Sequence, residues 1–451
     1  MRKGGARIIA IIAVFLLLLT AKAAALDTQM EAGEQQRHDE TQGEASMGTT
    51  PWRSFLEAFP LELHGFLEAR GGLRLRDDPH ESKTATMEET RLQLHLFKIL
   101  DGAKFRIKSD FLYDGVVKGT EVDLREASAA FTPFNFMDLK VGRQIVTWGT
   151  GDYIFINDLF PKDFNSFFIG RDDEYLKAPS DALKASFYTK VVNFDFVYTP
   201  RFDPDRFING EGLSYFNPQL GRLAGEDAII EPQKRKEWFD DSEIALRIHR
   251  DIKGYGLALY GYHGFWKSPL GFDPQAGQAT FPNLSVYGAS IRGKIWKGIG
   301  NFEMGYNDSR DDRSGKNPFI PNSQLRFLTG YEQELAKDFT AVVQYYLDKT
   351  LDYGAYKSTL PQGFQAADEY RHVITLRLTK LLMYQNLKLS LFTFYSPSDQ
   401  DVYLRPNIHY RINDQFSAEA GANVFFGEKD STFFGQFRDN TNLYLGLRYS
   451  L

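Results

Sequence analysis

The chain has 451 residues, 53 basic against 59 acidic, a net charge of −6 and no cysteine. The missing cysteines exclude structural disulfides, lipoprotein anchoring and covalent c-type haem, and the acidic balance offers nucleic acid no basic surface. The 38 Phe and 23 Tyr are unusually abundant, as rings are where they girdle a membrane barrel at both interfaces.

Arg2, Lys3 and Arg7 precede an apolar run from Ile8 to Leu19 and then Ala23-Ala24-Ala25. This is the pattern of a secretory leader, expected over residues 1–25. The run is short for the ~20 residues of a spanning helix. Residues 26–60 are expected to be a disordered periplasmic tail, too poor in apolar groups to order. Within it 51–60 (PWRSFLEAFP) reads as a short interfacial helix or plug.

From Leu61 the hydrophobic period becomes two. Leu61, Leu63, Leu67, Leu73 and Leu75 share one face, and Glu62, His64, Glu68, Arg70, Arg74 and Arg76 share the other. Leu92, Leu94 and Leu96 repeat the pattern, as do Phe105, Ile107 and Phe111; Val122 and Leu124 start a segment that loses phase near Glu126. After the stretch at 139–146, further candidate strands fall at roughly 182–190, 191–199, 242–250, 255–263, 284–296, 299–307, 323–334, 338–348, 370–380, 386–395, 402–412, 415–426 and 442–451. Connections alternate between short (98–102, 133–136, 251–254, 297–298, 336–337, 413–414) and mostly long (150–181, 200–241, 264–283, 308–322, 349–369).

These features predict an all-β fold: a transmembrane antiparallel up-and-down barrel over residues 61–451, of about 18 strands, with 16 or 20 if one pair is merged or split. Short periplasmic turns and long extracellular loops follow from the alternation. In lipid every backbone polar group needs a partner, and only closure removes the sheet edges.

Taking the apolar parity as lipid-facing turns Arg70, Arg74, Arg91, Lys104, Arg106, Lys108, Arg247, Arg292, Lys294, Arg326, Arg377, Lys388, Arg405 and Arg411 into the lumen. Fewer acids join them: Glu62, Glu68, Asp110, Glu303, Glu332, Asp348 and Glu419. A basic wall favours anionic or polyhydroxyl solutes. The same charges can instead pair across neighbouring strands.

One stretch stands apart, residues 139–163 (LKVGRQIVTWGTGDYIFINDLFPKD). It starts as a strand and runs into a loop too rich in aromatics and carboxylates for ordinary solvation. It is expected to fold inward as a constriction, with Asp152, Tyr153, Asp158, Asp163, Arg171 and Asp172 as its functional residues. Counting by two from Leu139 and Val141 puts Arg143 in lipid, at roughly 2–4 kcal/mol for a mid-membrane charge. A β-bulge at Gly142 is therefore expected, turning Arg143 inward to pair with Asp152, Asp158 or Asp163.

The loop DSRDDRSGKN (308–317) has calcium-loop composition without EF-hand spacing, so no metal site is assigned. His64, His95, His249, His263 and His409 read as lumen polarity, and no nucleophile elbow or P-loop occurs. No cofactor and no enzymatic activity are expected.

Gly142-Arg143-Gln144 with Trp148-Gly149, then Asn157-Asp158-Leu159 and Pro161, resembles a family of uncharacterised porin-like outer-membrane proteins of Gram-negative bacteria. The ending Phe434-Gly435-Gln436-Phe437-Arg438-Asp439-Asn440, with Tyr444 and Arg448-Tyr449-Ser450, is similar to the close of that group. More distantly, length and strand count resemble alginate-export and substrate-specific porins. The resemblance implies a passive channel in the bacterial outer membrane. Its expected partners are the lipid bilayer, lipopolysaccharide, a small hydrophilic solute and the barrel assembly machinery, which would read the apolar face ending at Leu451. A second reading is a barrel sheath docked to a periplasmic partner in an export or electron-conduit complex.

Overall fold

The computed structural model describes residues 62–360 and 366–451. The expected leader, the tail, its short helix and Leu61 lie outside the described residues.

In chain order the strands are β1 (Glu62–Arg74), β2 (Ala85–Leu100), β3 (Ala103–Asp114), β4 (Gly119–Phe134), β5 (Met137–Gln144), β6 (Ser180–Phe187), β7 (Asn193–Thr199), β8 (Tyr215–Asn217), β9 (Arg222–Ala224), β10 (Glu243–Ile252) and β11 (Tyr255–Phe265). They continue as β12 (Gly271–Asp273), β13 (Gln278–Thr280), β14 (Asn283–Ile295), β15 (Gly298–Ser309), β16 (Gln324–Ala336), β17 (Phe339–Thr350), β18 (Tyr370–Leu382), β19 (Leu387–Ser396), β20 (Asp401–Arg411), β21 (Phe416–Gly427) and β22 (Asn442–Ser450). Eighteen of them form one closed antiparallel barrel, in which β7 pairs with β10, β11 with β14, and β22 returns to β1. The hairpins β8–β9 and β12–β13 lie in loops outside that ring. The expected fold and strand number are thus what the chain adopts.

The closing pair shows the division of faces. Leu67 opposes Tyr449 and Ala69 opposes Leu447 on the outside, while Glu68 opposes Arg448 and Arg70 opposes Gly446 within. Leu63, Leu73, Ile107, Val122, Leu259 and Tyr287 are exposed on the outer face, where lipid rather than protein covers them. Trp296 and Tyr384 sit exposed at turns, at the height where rings mark the interface. The tightest turns carry their sequence cause: Asp101-Gly102 and Lys253-Gly254 both hold positive φ, as two-residue hairpins require.

The phase lost near Glu126 is a register shift. Lys108 opposes Glu126 while Ser109 opposes Leu124, leaving Arg125 as the extra residue of a β-bulge. Asp123 and Arg125 point inward before the shift, Glu126 and Ser128 after it, so Arg125 is only 1% exposed.

The bulge expected at Gly142 is absent. Arg143 opposes Ala127 on one side and Asp181 on the other in unbroken ladders, and it keeps the outward parity of Leu139 and Val141. Two features remove the need for the bulge. Arg143 lies one residue from the end of β5, at the rim rather than at mid-membrane. It also bridges Asp181 at 3.2 Å and donates Nε to the Leu124 carbonyl at 2.7 Å, which lies beside the β4 bulge. Gly142 is needed for another reason: its φ is +111° and a Cβ there would meet the Ala127 carbonyl oxygen at 2.2 Å.

Candidate functional site

The 145–179 connection between β5 and β6 folds into the lumen. Its first part lies on the wall of β6–β14, where Val146, Trp148 and Phe160 pack against the inward side chains Ala182, Val197, Ala245, Tyr260, Tyr262 and Val286. Glycines make the seat. Gly288 of β14 opposes Gly305 of β15, and a Cβ at Gly288 would stand 1.8 Å from Asn157 Oδ1, one at Gly305 2.7 Å from Ile156.

Glu303 on β15 fixes the chain there. Its Oε2 accepts from Thr150 N (2.6 Å) and Oγ1 (2.9 Å), its Oε1 from Asn157 N (2.9 Å) and Nδ2 (3.0 Å). Among the described residues no cation pairs with it, so these dipoles alone compensate a carboxylate 1% exposed.

The loop also reaches β18 and β19. Asp152 meets Arg377 at 3.0 Å, and Tyr153 packs edge-on against Phe392. Asp163 caps the helix α1 (Phe164–Ile169), accepting from Ser166 N at 2.7 Å. Phe167 and Phe168 on α1 enter an aromatic cluster with Phe394, Tyr403, Phe425 and Phe437. Gly170 ends the helix at φ +94°, with Tyr444 where a Cβ would go.

The next five residues, Arg171-Asp172-Asp173-Glu174-Tyr175, are held from several sides. Arg171 grips Glu89 of β2 through Nε (2.9 Å) and Nη2 (2.5 Å). Asp172 pairs with Arg448 and, at 3.9 Å, with Arg70. Asp173 takes Arg405 and the Tyr153 hydroxyl, each at 2.6 Å. Glu174 meets Lys108 at 2.9 Å. The Tyr175 ring lies between the Arg91 and Arg125 guanidiniums, 4.1 and 4.5 Å from its centroid. Arg125 also donates to the Glu174 and Lys177 carbonyls. Burial pushes the Asp172 carboxyl up, but the Arg448 and Arg70 guanidiniums outweigh it and hold it below the usual range. Burial pushes the Tyr153 hydroxyl up, and the Asp173 charge adds to the shift.

Of the twelve basic residues expected to line the pore, eleven have inward parity and Arg143 does not. The inward ones fall into three sets, besides Lys108, which is held by Glu174. Arg70, Arg74, Arg91 and Arg405 are buried between wall and loops. There Arg70 bridges Glu68 (3.1 Å) and Glu419 (2.5 Å), Arg91 bridges Asp110 (2.6 Å), and Arg74 donates to Gly212 and Asn440. Arg326 pairs with Asp348 at 3.3 Å, Arg247 with Asp195 and Arg292 with Glu332, both at 3.5 Å. Near the short turns Lys104, Arg106 and Arg411 are exposed, with no ion pair among the described residues. Asp158 pairs with Lys162 (3.1 Å), and Asp163 also meets Arg206 (3.4 Å). His263 has the parity of Leu257 and Leu259, outward, unlike the lumen placement expected for it.

Sequence reasoning passed over Glu89, Arg125, Asp173, Tyr175 and Arg448 as site residues. Arg125 had a signal in the lost phase of β4. Asp173 and Tyr175 had only the density of charge in 171–175, and Glu89 and Arg448 only their places on the polar faces of β2 and β22; neither signal assigns partners.

Solved structures with this architecture are outer-membrane proteins. OccD3 of Pseudomonas aeruginosa aligns at 10% identity over 86% of this chain and 91% of its own, TM-score 0.50. OccAB1 and OccAB3 of Acinetobacter baumannii align at 8% and 11% identity over 87% of this chain and 96% and 99% of theirs, TM-scores 0.52 and 0.51. The fold is that of an outer-membrane porin. Identities this low speak for the fold alone, and no family model and no curated sequence matches the chain. The closed barrel with its apolar outer face places the protein in the bacterial outer membrane.

Proposed function

We propose that the protein is an outer-membrane channel for passive passage of small hydrophilic solutes, rather than an enzyme, and that residues 145–179 are its constriction. The observation that carries this reading is the attachment of one loop across the lumen, to Glu303 on one wall and to Arg70, Arg91, Arg125, Arg405 and Arg448 on the others. A loop fixed by buried charge narrows the way through without closing the barrel's ends. Below it the exposed Lys104, Arg106 and Arg411 support a preference for anionic or polyhydroxyl solutes. The resemblance to the uncharacterised porin-like family, the contact with lipopolysaccharide and recognition by the barrel assembly machinery belong to the same proposal. The sheath reading, a barrel docked to a periplasmic partner, has no specific observation in its favour among the described residues. Planar-bilayer recordings of the purified protein test the proposal: ion conductance with an anion preference is expected, and well-folded protein that never conducts would refute it.

A further inference from the structure

Above the constriction, on the side of the long loops, a cavity of about 290 Å³ opens between the lumen loop and the wall of β15–β18. That is near the lower end of the ~300–1,000 Å³ of small-molecule sites. We infer that this cavity is a recognition subsite for a neutral saccharide of one or two rings, reached by the solute before the constriction. The inference rests on the channel reading and names its solute class.

Unused hydrogen-bonding capacity points that way. Asn307 lines the cavity, is fully buried, and has neither its amide nitrogen nor its amide oxygen partnered. Trp266 Nε1 and Asp348 Oδ1, from residues lining the same cavity, are equally unpartnered. Buried polar atoms without partners are rare in folded chains, and a ligand or water is the usual reason. The set mixes donors and acceptors, which suits hydroxyls, since each hydroxyl both gives and takes.

Charge argues against an anion. Every cation lining the cavity is neutralised: Arg326 by Asp348 (3.3 Å), Arg371 by Asp399 (2.7 Å), Lys162 by Asp158 (3.1 Å) and Lys267 by Glu243 (2.6 Å). Much of the remaining lining is aromatic, including Tyr153, Phe155 and Phe433, and offers flat faces to the C–H side of a sugar ring.

Titration calorimetry on the full-length barrel in detergent, with maltose, cellobiose and glucuronate as probes, tests this alongside bilayer recordings. Both disaccharides should bind and transiently block the current from the extracellular side, and glucuronate should bind no tighter. Asn307→Leu should weaken disaccharide binding about tenfold while raising the melting temperature, because it removes the unpaired amide. Trp266→Phe keeps the ring and should weaken binding by a smaller factor. Normal conductance with neither heat nor block from either disaccharide would mean a cavity that holds water only, and overturns the inference while leaving the channel standing. Tighter binding of glucuronate overturns the neutral class. Disaccharide binding without any conductance supports the subsite and refutes the channel.

Discussion

Replacing Glu303 with Ala should release the lumen loop while leaving the barrel intact. The carboxylate accepts four hydrogen bonds from the loop, but these donors are not equally replaceable. Asn157 Nδ2 keeps the Met304 carbonyl at 3.1 Å, and Thr150 Oγ1 can turn to new partners. The Thr150 and Asn157 backbone amides cannot turn. Leaving them unpaired costs about 1–3 kcal/mol each, roughly 2–6 kcal/mol in all against the docked loop. At 1.4 kcal/mol per tenfold, the undocked state rises by at least about 30-fold. The eighteen strand pairings do not involve this side chain, so the barrel should still migrate as a folded species in a heat-modifiability gel. Hydrogen exchange at the Thr150 and Asn157 amides should accelerate by at least the same ~30-fold, and single-channel conductance should increase. Glu303→Gln keeps one acceptor oxygen but turns an amide NH2 toward donors, so it should fall between wild type and alanine. An assembled Glu303→Ala barrel with unchanged exchange and unchanged conductance would refute the anchoring role.

Three further outcomes follow from the same geometry. Gly170→Ala places a methyl 2.3 Å from the Tyr444 ring at a φ that L residues avoid, so it should loosen α1 and raise conductance or current noise; a variant current no larger and no noisier than wild type would contradict this. The double change Arg106→Glu, Lys108→Glu should lower the anion-to-cation permeability ratio measured from reversal potentials, with the larger share from Arg106, since Lys108 is already paired with Glu174. In the β1–β2 loop, burial pushes the Glu81 carboxyl up to about 8. Its protonated form is the one that packs, so the contact with 209–227 should be tightest below the usual carboxylate range and weaken as pH rises toward about 8. Protease cleavage in these loops should rise over that window in wild type and lose the dependence in Glu81→Gln.

The barrel was legible in the sequence because lipid imposes a local rule. Each strand must present apolar side chains at every second position, so Leu63, Leu67 and Leu73 declare their face without reference to any partner. Alternating connection lengths then gave the strand number and which end carries the loops. The same rule fails where a strand meets the rim or a bulge. Arg143 keeps the outward parity yet is charged, because it sits at the end of β5 beside Asp181, and the shift of register lies one strand away, at Arg125.

Reading residues 139–163 as the start of an inward loop needed only their composition: no solvated loop carries so many rings and carboxylates. What those residues hold could not be read locally. Glu303 is 146 residues from Asn157, Arg405 232 from Asp173 and Arg448 276 from Asp172. Closure of the barrel brings these groups together. The sequence by itself determined the membrane, the faces and, to within one pair, the number of strands, since those follow from one-residue alternation against lipid. Only the tertiary structure decided that most of the basic wall is paired, to carboxylates of neighbouring strands or of the lumen loop, rather than free in the pore, because pairing depends on distances that the closed ring creates.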